Sequence, residues 1–246
     1  MPTGRSPRIQ VSGRARAGKS TLRNALSLTT AEETAPVDDP GHPDPVLDGD
    51  LILYVLPGTL GAADRRVLET LRPDRTLVVL NKADAIGSRW SDAAQAAARH
   101  SETLGIHTLP AVASLAVHTR AGMFTEADLR TLRRHRDSAD PAFTLTADLF
   151  ADPAVAEDVP ARRELLERWD LHGVACALAA LRHAPDLAPQ PLLQILHSAS
   201  GIDLIYRALH HLYERAAAES RARSPNSPPG PPLATNNECW IVNPNP

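Results

Sequence analysis

The sequence predicts a three-layer α/β domain built on a mostly parallel, shortened sheet, followed by an α-helical subdomain and a disordered tail. Three observations lead there. Up to about residue 137, apolar runs of strand length alternate with helical patterns, as expected of parallel strands covered on both faces. From 138 to 223 only helical patterns recur. From 224 onward the chain is rich in Pro and Asn (SPNSPPGPPLATNNECWIVNPNP), a composition that buries too little to offset its ordering entropy.

The elements follow in order. Residues 8–12 (RIQVS) read as a strand, and 21–28 as a helix after a glycine-containing turn. The stretch 29–50 is rich in Pro, Asp and Thr without a hydrophobic period, so it reads as loop. The continuous apolar runs 51–56 (LILYVL) and 76–80 (TLVVL) fit buried parallel strands. Between them, 62–71 is helical, with Val67, Leu68 and Leu71 on one face. An Ala-rich helix is expected over 91–104 with Ser91 as N-cap, a strand over 108–112, and a helix over 126–136 capped by Thr125. The helical part reads as 162–169, 174–181, 191–197 and 202–215, with breaks at Gly173, at Pro185 and Pro189, and at Gly201.

Composition narrows the function. With 43% hydrophobic and only 4% aromatic residues, the core is expected to be Ala- and Leu-rich rather than that of an aromatic β-sandwich. A net charge of −3 gives no polybasic footprint, so no nucleic-acid partner is expected. Two cysteines, Cys176 and Cys239, make no disulfide framework, and Cys176, inside an apolar run, is expected to be buried. Residues 1–9 hold no signal-peptide core, and no apolar run approaches the ~20 residues of a membrane span. A cytoplasmic protein with at most peripheral membrane contact is the expectation. The ten histidines are scattered, and adjacent His210 and His211 point different ways on a helix, so no structural metal is expected. Trp169 reads as a helix-packing residue, and Trp240 falls in the tail.

Two motifs carry chemistry. Gly13-Arg14-Ala15-Arg16-Ala17-Gly18-Lys19-Ser20, followed by Thr21, fits G-x-x-x-x-G-K-[ST] between a strand and a helix. In such a loop successive N–H groups turn toward phosphate oxygens. Lys19 would then reach the β- and γ-phosphates and Ser20 would ligate Mg²⁺. The motif resembles the phosphate loop of P-loop NTPases; a chance match in a Gly-containing loop is the alternative. The second motif, Asn81-Lys82-Ala83-Asp84, directly follows the strand at 76–80, which places it on the ligand side of such a sheet. The Asp84 carboxylate can accept from guanine N1–H and its exocyclic amine, a pair adenine does not offer. Lys82 would lie along the base plane, and Asn81 would tie this loop to the phosphate loop. After the strand at 108–112, Ala113-Ser114-Leu115-Ala116 offers a small loop whose N–H groups at Ser114 and Leu115 can meet the guanine oxygen; an ordinary strand end is the other reading.

With these motifs the chain resembles the translation-factor-related class of P-loop GTPases. Val37-Asp38-Asp39-Pro40-Gly41-His42 looks like the D-x-P-G-H of that class. The resemblance implies Asp38 as a support for Mg²⁺ and His42 as the residue that positions the attacking water. An acidic, Pro-containing turn is the alternative. The loop variant G-R-x-R-A-G-K-S-T-L, the stretch from Arg163 to Val174 and the Ser200-Gly201-Ile202-Asp203 turn resemble bacterial dynamin-like GTPases of the isoniazid-inducible type. That resemblance implies GTP and GDP as ligands, Mg²⁺ as metal, and a second copy or a larger dynamin-like GTPase as partner. Arg16 stands where some members of that superfamily carry an arginine finger, and with Lys19 and His42 it completes the catalytic set implied; a solvent-facing arginine is the alternative. One departure is plain. Only 18 residues separate Lys19 from Asp38, so the region of switch I is shortened, and Thr29, Thr30 and Thr34 stand in no recognisable motif. A GTP hydrolase, a nucleotide-dependent binding module and a truncated family member all remain as readings.

Overall fold

Among the described residues, five strands, all parallel, carry the fold: β1 (Ile9–Gly13), β2 (Glu32–Glu33), β3 (Leu51–Pro57), β4 (Thr76–Asn81) and β5 (Thr108–Ala111). The computed structural model describes residues 6–87, 89–138 and 141–223. The strand order is β2-β1-β3-β4-β5, with Val11 opposite Leu53 and Val55 opposite Val79. The helices are α1 (Lys19–Ala25), α2 (Ala62–Leu68), α3 (Trp90–Leu104), α4 (Ala113–Ala121), α5 (Glu126–His135), α6 (Ala147–Phe150), α7 (Val159–His183), α8 (Pro189–Ala199) and α9 (Ile202–Arg223).

Strand side chains alternate between two faces, and both faces are covered. On one, Val11, Leu51, Leu53, Val55, Leu77 and Val79 pack with Leu22 and Ala25 of α1, Ala116 of α4, and Ile205 and Leu209 of α9. On the other, Ile52, Tyr54, Leu56, Val78 and Leu80 meet Val67 and Leu68 of α2 and Ala96 and Ala97 of α3. Double coverage is why β3 and β4 read as unbroken apolar runs. The result is the expected three-layer α/β arrangement.

A third apolar cluster takes in Ala83 and Val112, just past the carboxyl ends of β4 and β5. It joins Leu115 of α4, Leu129 and Leu132 of α5, Leu165, Trp169 and Val174 of α7, and Leu192 and Leu196 of α8. Trp169 stacks on Phe124, with ring centroids 4.2 Å apart. Arg162, fully buried, ties the segment before α7 to that helix: its guanidinium donates to the carbonyls of Phe150, Asp152 and Ala156 and to the Asp158 carboxylate. Each of these donor bonds of the buried cation ends on an oxygen, as burial of a charge requires.

Several local expectations change. The 29–50 stretch contains β2, whose Glu32 and Glu33 pair with Gln10 and Val11; two residues are too few to show a period. Helix α3 starts at Trp90, and the Asp92 carboxylate accepts from Arg89 N–H (3.1 Å), so Ser91 is not the cap. Thr125 does cap α5, its hydroxyl accepting from Asp128 N–H (3.1 Å). Residues 113–116 open helix α4 rather than forming a loop. Helix α7 runs through Gly173, and its irregular residue is Asp170, at φ 54°. Helix α9 extends to Arg223 and lies on the sheet, although it follows the helical segments in sequence. Cys176 is half-buried rather than buried. Residues 224–246, with Cys239 and Trp240, lie outside the described residues. Among the described residues no helix is long and apolar enough to cross a membrane.

Candidate phosphate-loop site

The strand order sets where a ligand can lie. From β1 the chain moves outward one way to β2, then returns past β1 and continues the other way through β3, β4 and β5. In open parallel sheets this reversal opens a crevice at the carboxyl ends of the strands. The segment 13–20 leaves β1 at that point. Gly13, at φ +143°, allows β1 to end against β3, since a Cβ there would stand 2.4 Å from Val55 O. Gly18, at φ +93°, lies under the Asn81 amide, 2.3 Å from where its Cβ would be. Neither position admits a larger residue without a shift.

Lys19 is 7% exposed, and its Nζ donates to the carbonyls of Gly13 and Arg14 (3.1 Å each). Two of three ammonium protons are thus used to hold the side chain across the loop, and one is left for an anion. Burial lowers its pKa, against the opposing charges of Glu33 and Asp38. Ser20 is exposed and donates to the Glu33 carboxylate (3.0 Å), while Ala17 is fully buried and Thr21 half-buried on α1. Ala15 N–H donates to Asp38 Oδ1 (2.7 Å). Arg16 is exposed and left-handed at φ 57°.

Arg14 leaves the loop on the β3 side. Its guanidinium pairs with fully buried Asp64 (2.9 Å) and donates to Thr59 O (2.7 Å). Asp64 also accepts from Tyr54 OH (2.9 Å) and Gly61 N–H (2.8 Å). Burial, then the Asp64 charge, pushes the Tyr54 hydroxyl pKa far above its usual value, so it stays a donor.

The second motif meets the first through one side chain. Asn81 is 4% exposed; its Nδ2 donates to Ala17 O (2.9 Å) and its Oδ1 accepts from Ala113 N–H (3.1 Å). Asn81 therefore joins the phosphate loop, the end of β4 and the start of α4. Lys82 follows in the left-handed region (φ 58°), and Lys82 and Asp84 are both exposed in the turn after β4. Ser114 is half-buried at the start of α4, whereas the Leu115 side chain is fully buried in the helical cluster and leaves only its backbone for a ligand. His42 is distinct from these: its side chain is 72% exposed and pairs with Asp39 (3.3 Å). Of the three threonines, Thr34 extends the β2 pairing, with its N–H on Val11 O and its hydroxyl on Ser12 Oγ (3.0 Å each).

Sequence reasoning missed Glu33, Asp64 and His172. Glu33 hid in an unpatterned stretch, and Asp64 looked like an ordinary first-turn acid. His172, on α7, is near enough to Asp84 and Asp170 for their charges to raise its pKa against the larger, lowering effect of burial. Among the described residues no three His, Cys, Asp or Glu side chains gather as a metal cluster. A separate cavity of about 380 Å³, lined by Arg72, Arg75, Thr76 and Glu219, sits at the amino ends of β3 and β4, the wrong end of the sheet for these motifs.

No protein-family model and no curated protein sequence matches the chain. Among solved structures, the chain is similar to the cytosolic domain of the FeoB iron transporter of T. maritima in its GMPPNP form, at 13% identity. The match covers 72% of this chain and 98% of that one with a TM-score of 0.29. At that TM-score the likeness adds nothing to the assignment of the site.

Proposed function

We propose that this chain binds a guanine nucleotide, GTP or GDP, with its phosphates on residues 13–20 and its base at Asp84. The observation that supports this most is the Asn81 bridge. One buried amide, Asn81, bonds both to Ala17 within residues 13–20 and to Ala113 at the start of α4, tying together the segments read as phosphate loop and base-reading turn. Ser20, Glu33 and Asp38 offer the hard oxygen donors that Mg²⁺ takes; a bound Mg²⁺ would neutralise phosphate charge. Guanine selectivity falls to Asp84, with Lys82 along the base and the Ser114 and Leu115 N–H groups at its edge. The cytoplasm, where such nucleotides abound, is the compartment this reading implies. The test is a thermal melt with GDP, then with ADP. Ligand at about 100 times its Kd stabilises by about 2.7 kcal/mol, so GDP should raise the Tm by several degrees and ADP should leave it unchanged. An equal shift by both would remove the guanine reading.

A second reading, GTP hydrolysis, draws on Arg16. A left-handed non-glycine residue costs roughly 1–2 kcal/mol, and this one presents an exposed guanidinium at the loop. Such a cation can offset charge developing on a transferred phosphoryl group. His42, paired with Asp39, would have to turn inward to position water. Arg16→Ala keeps the backbone strain and removes only the charge; turnover should fall at least about tenfold with nucleotide affinity retained, and equal turnover would remove the catalytic role. The dynamin-like assignment, with a second copy or a larger GTPase as partner, rests on the loop variant and predicts self-association on nucleotide, readable by light scattering.

A further inference from the structure

We infer that Asp38 is an internal occupant of the phosphate loop, a carboxylate standing where the terminal phosphate of a triphosphate would lie, so that the resting site favours a diphosphate. The inference rests on the nucleotide-binding reading for where the phosphates lie.

The position of Asp38 is built into the sheet. After β2 the chain keeps to β1: Thr34 N–H donates to Val11 O (3.0 Å) and Val37 N–H to Gly13 O (3.3 Å). Val37 is 2% exposed and packs with Ile52, Tyr54 and Leu56. The next residue is thereby delivered to the start of the phosphate loop, where its Oδ1 takes the Ala15 N–H at 2.7 Å. A carboxylate on a loop N–H makes the same charge-assisted bond as a phosphate oxygen.

The two contacts of the loop then fix the direction of the ligand. The base-reading turn follows β4, and Asn81 anchors it at Ala17, in the later half of the loop. Asp38 meets the earlier half, at Ala15, after a segment that crosses the end of β1, where Val37 packs on β3 and its carbonyl accepts from Arg66 of α2. A nucleotide whose base sits at Asp84 must run from the Ala17 end of the loop toward its Ala15 end. Its last phosphate arrives at Ala15 and Asp38. A chain of two phosphates stops short of the Asp38–Ala15 bond; a third must displace the carboxylate and also face its charge. Glu33, which accepts from Ser20, is a second carboxylate whose charge, like that of Asp38, acts on Lys19. A divalent cation drawn onto these oxygens would relieve the repulsion, so the discrimination is sharpest without metal.

The experiment is calorimetric titration of GDP and of a non-hydrolysable GTP analogue into wild type, Asp38→Ala and Asp38→Asn, in EDTA and in Mg²⁺, on the full chain. Pyrophosphate and tripolyphosphate are titrated alongside, to carry the same comparison without a base. Without metal, wild type should prefer two phosphates to three. Both variants should gain about tenfold or more for the three-phosphate ligands, the scale of a charge-assisted bond, with two-phosphate affinity changed less than about twofold. Equal changes for both ligand lengths, or weaker three-phosphate binding in the variants, would overturn the inference. If the inorganic ligands discriminate as stated but ADP raises the melting temperature as GDP does, the guanine reading fails and the Asp38 role stands. If guanine selectivity holds and the variants do not discriminate, the reverse is true.

Discussion

Two aspartates meet residues 13–20 in different ways. Arg14, Asp64, Tyr54 and Gly61 form a network closed around a carboxylate with no solvent exposure. Asp38 reaches Ala15 from an exposed turn that follows a strand of two residues. Buried and fully bonded, Asp64 holds the loop in place. Exposed and held by one bond, Asp38 can leave at little cost. The difference teaches that one aspartate anchors the loop while the other holds it by a single exposed bond.

The sharpest way to break this comparison is to remove each aspartate in turn. Asp64→Ala leaves a mostly buried guanidinium and the Tyr54 hydroxyl without their partner, and breaking one side of a buried pair costs roughly 3–5 kcal/mol. The urea midpoint should fall accordingly. Asp38→Ala, on the surface, should change stability by less than about 0.5 kcal/mol. If the two variants are equally stable, Asp64 is not an anchor.

A smaller effect on folding and a larger one on binding is expected of Gly18→Ala. The new Cβ would collide with the Asn81 amide at 2.3 Å in a left-handed backbone, pushing apart the phosphate loop and the base-reading turn. Nucleotide affinity should fall by at least about tenfold, since a misplacement of about 1 Å at a preorganised site is felt strongly. Unchanged affinity would mean that Asn81 is not the link between the two motifs.

The smallest effect concerns pH. Burial lowers the pKa of His172 beside the base-reading turn, with Asp84 and Asp170 opposing and Cys176 at 3.6 Å. The folded chain thus resists a proton that the unfolded chain takes up near the ordinary value of 6.5. Stability is full above that pH and is lost as pH falls through and below it. His100 and His197 are lowered too, chiefly by burial. The Tm should drop below pH ~6.5, and His172→Gln should flatten part of that drop; an identical profile would mean that His172 is not among the groups responsible.

Much of this was legible in the sequence, for physical reasons. β3 and β4 announced themselves because strands buried on both faces must be apolar throughout, as residues 51–56 and 76–80 are. The turn after β1 was legible because Gly13 and Gly18 occupy backbone positions that only glycine fills without strain or collision. β2 was not, because its two glutamates are held by backbone bonds that leave no side-chain pattern. Helix α4 was hidden at its start, since Ala113 has no capping side chain and its N–H is taken by Asn81 from another strand. The place of α9 was hidden too: its apolar stripe was visible, but whether it faces the sheet or the other helices depends on a chain reversal at Gly201 that no local signal encodes. Glu33 and Asp64 acquire their roles only through partners 13 and 50 or fewer residues away in sequence.

The most direct test of the central claim is a titration of GDP and ATP, with Mg²⁺, into wild type and Asp84→Ala. The account predicts that wild type binds GDP and not ATP. In the variant, GDP should weaken by at least about tenfold, the loss of a bidentate carboxylate contact, while the melting temperature without ligand is unchanged because Asp84 is exposed. Equal binding of GDP and ATP by wild type, or GDP affinity untouched by the substitution, would contradict it.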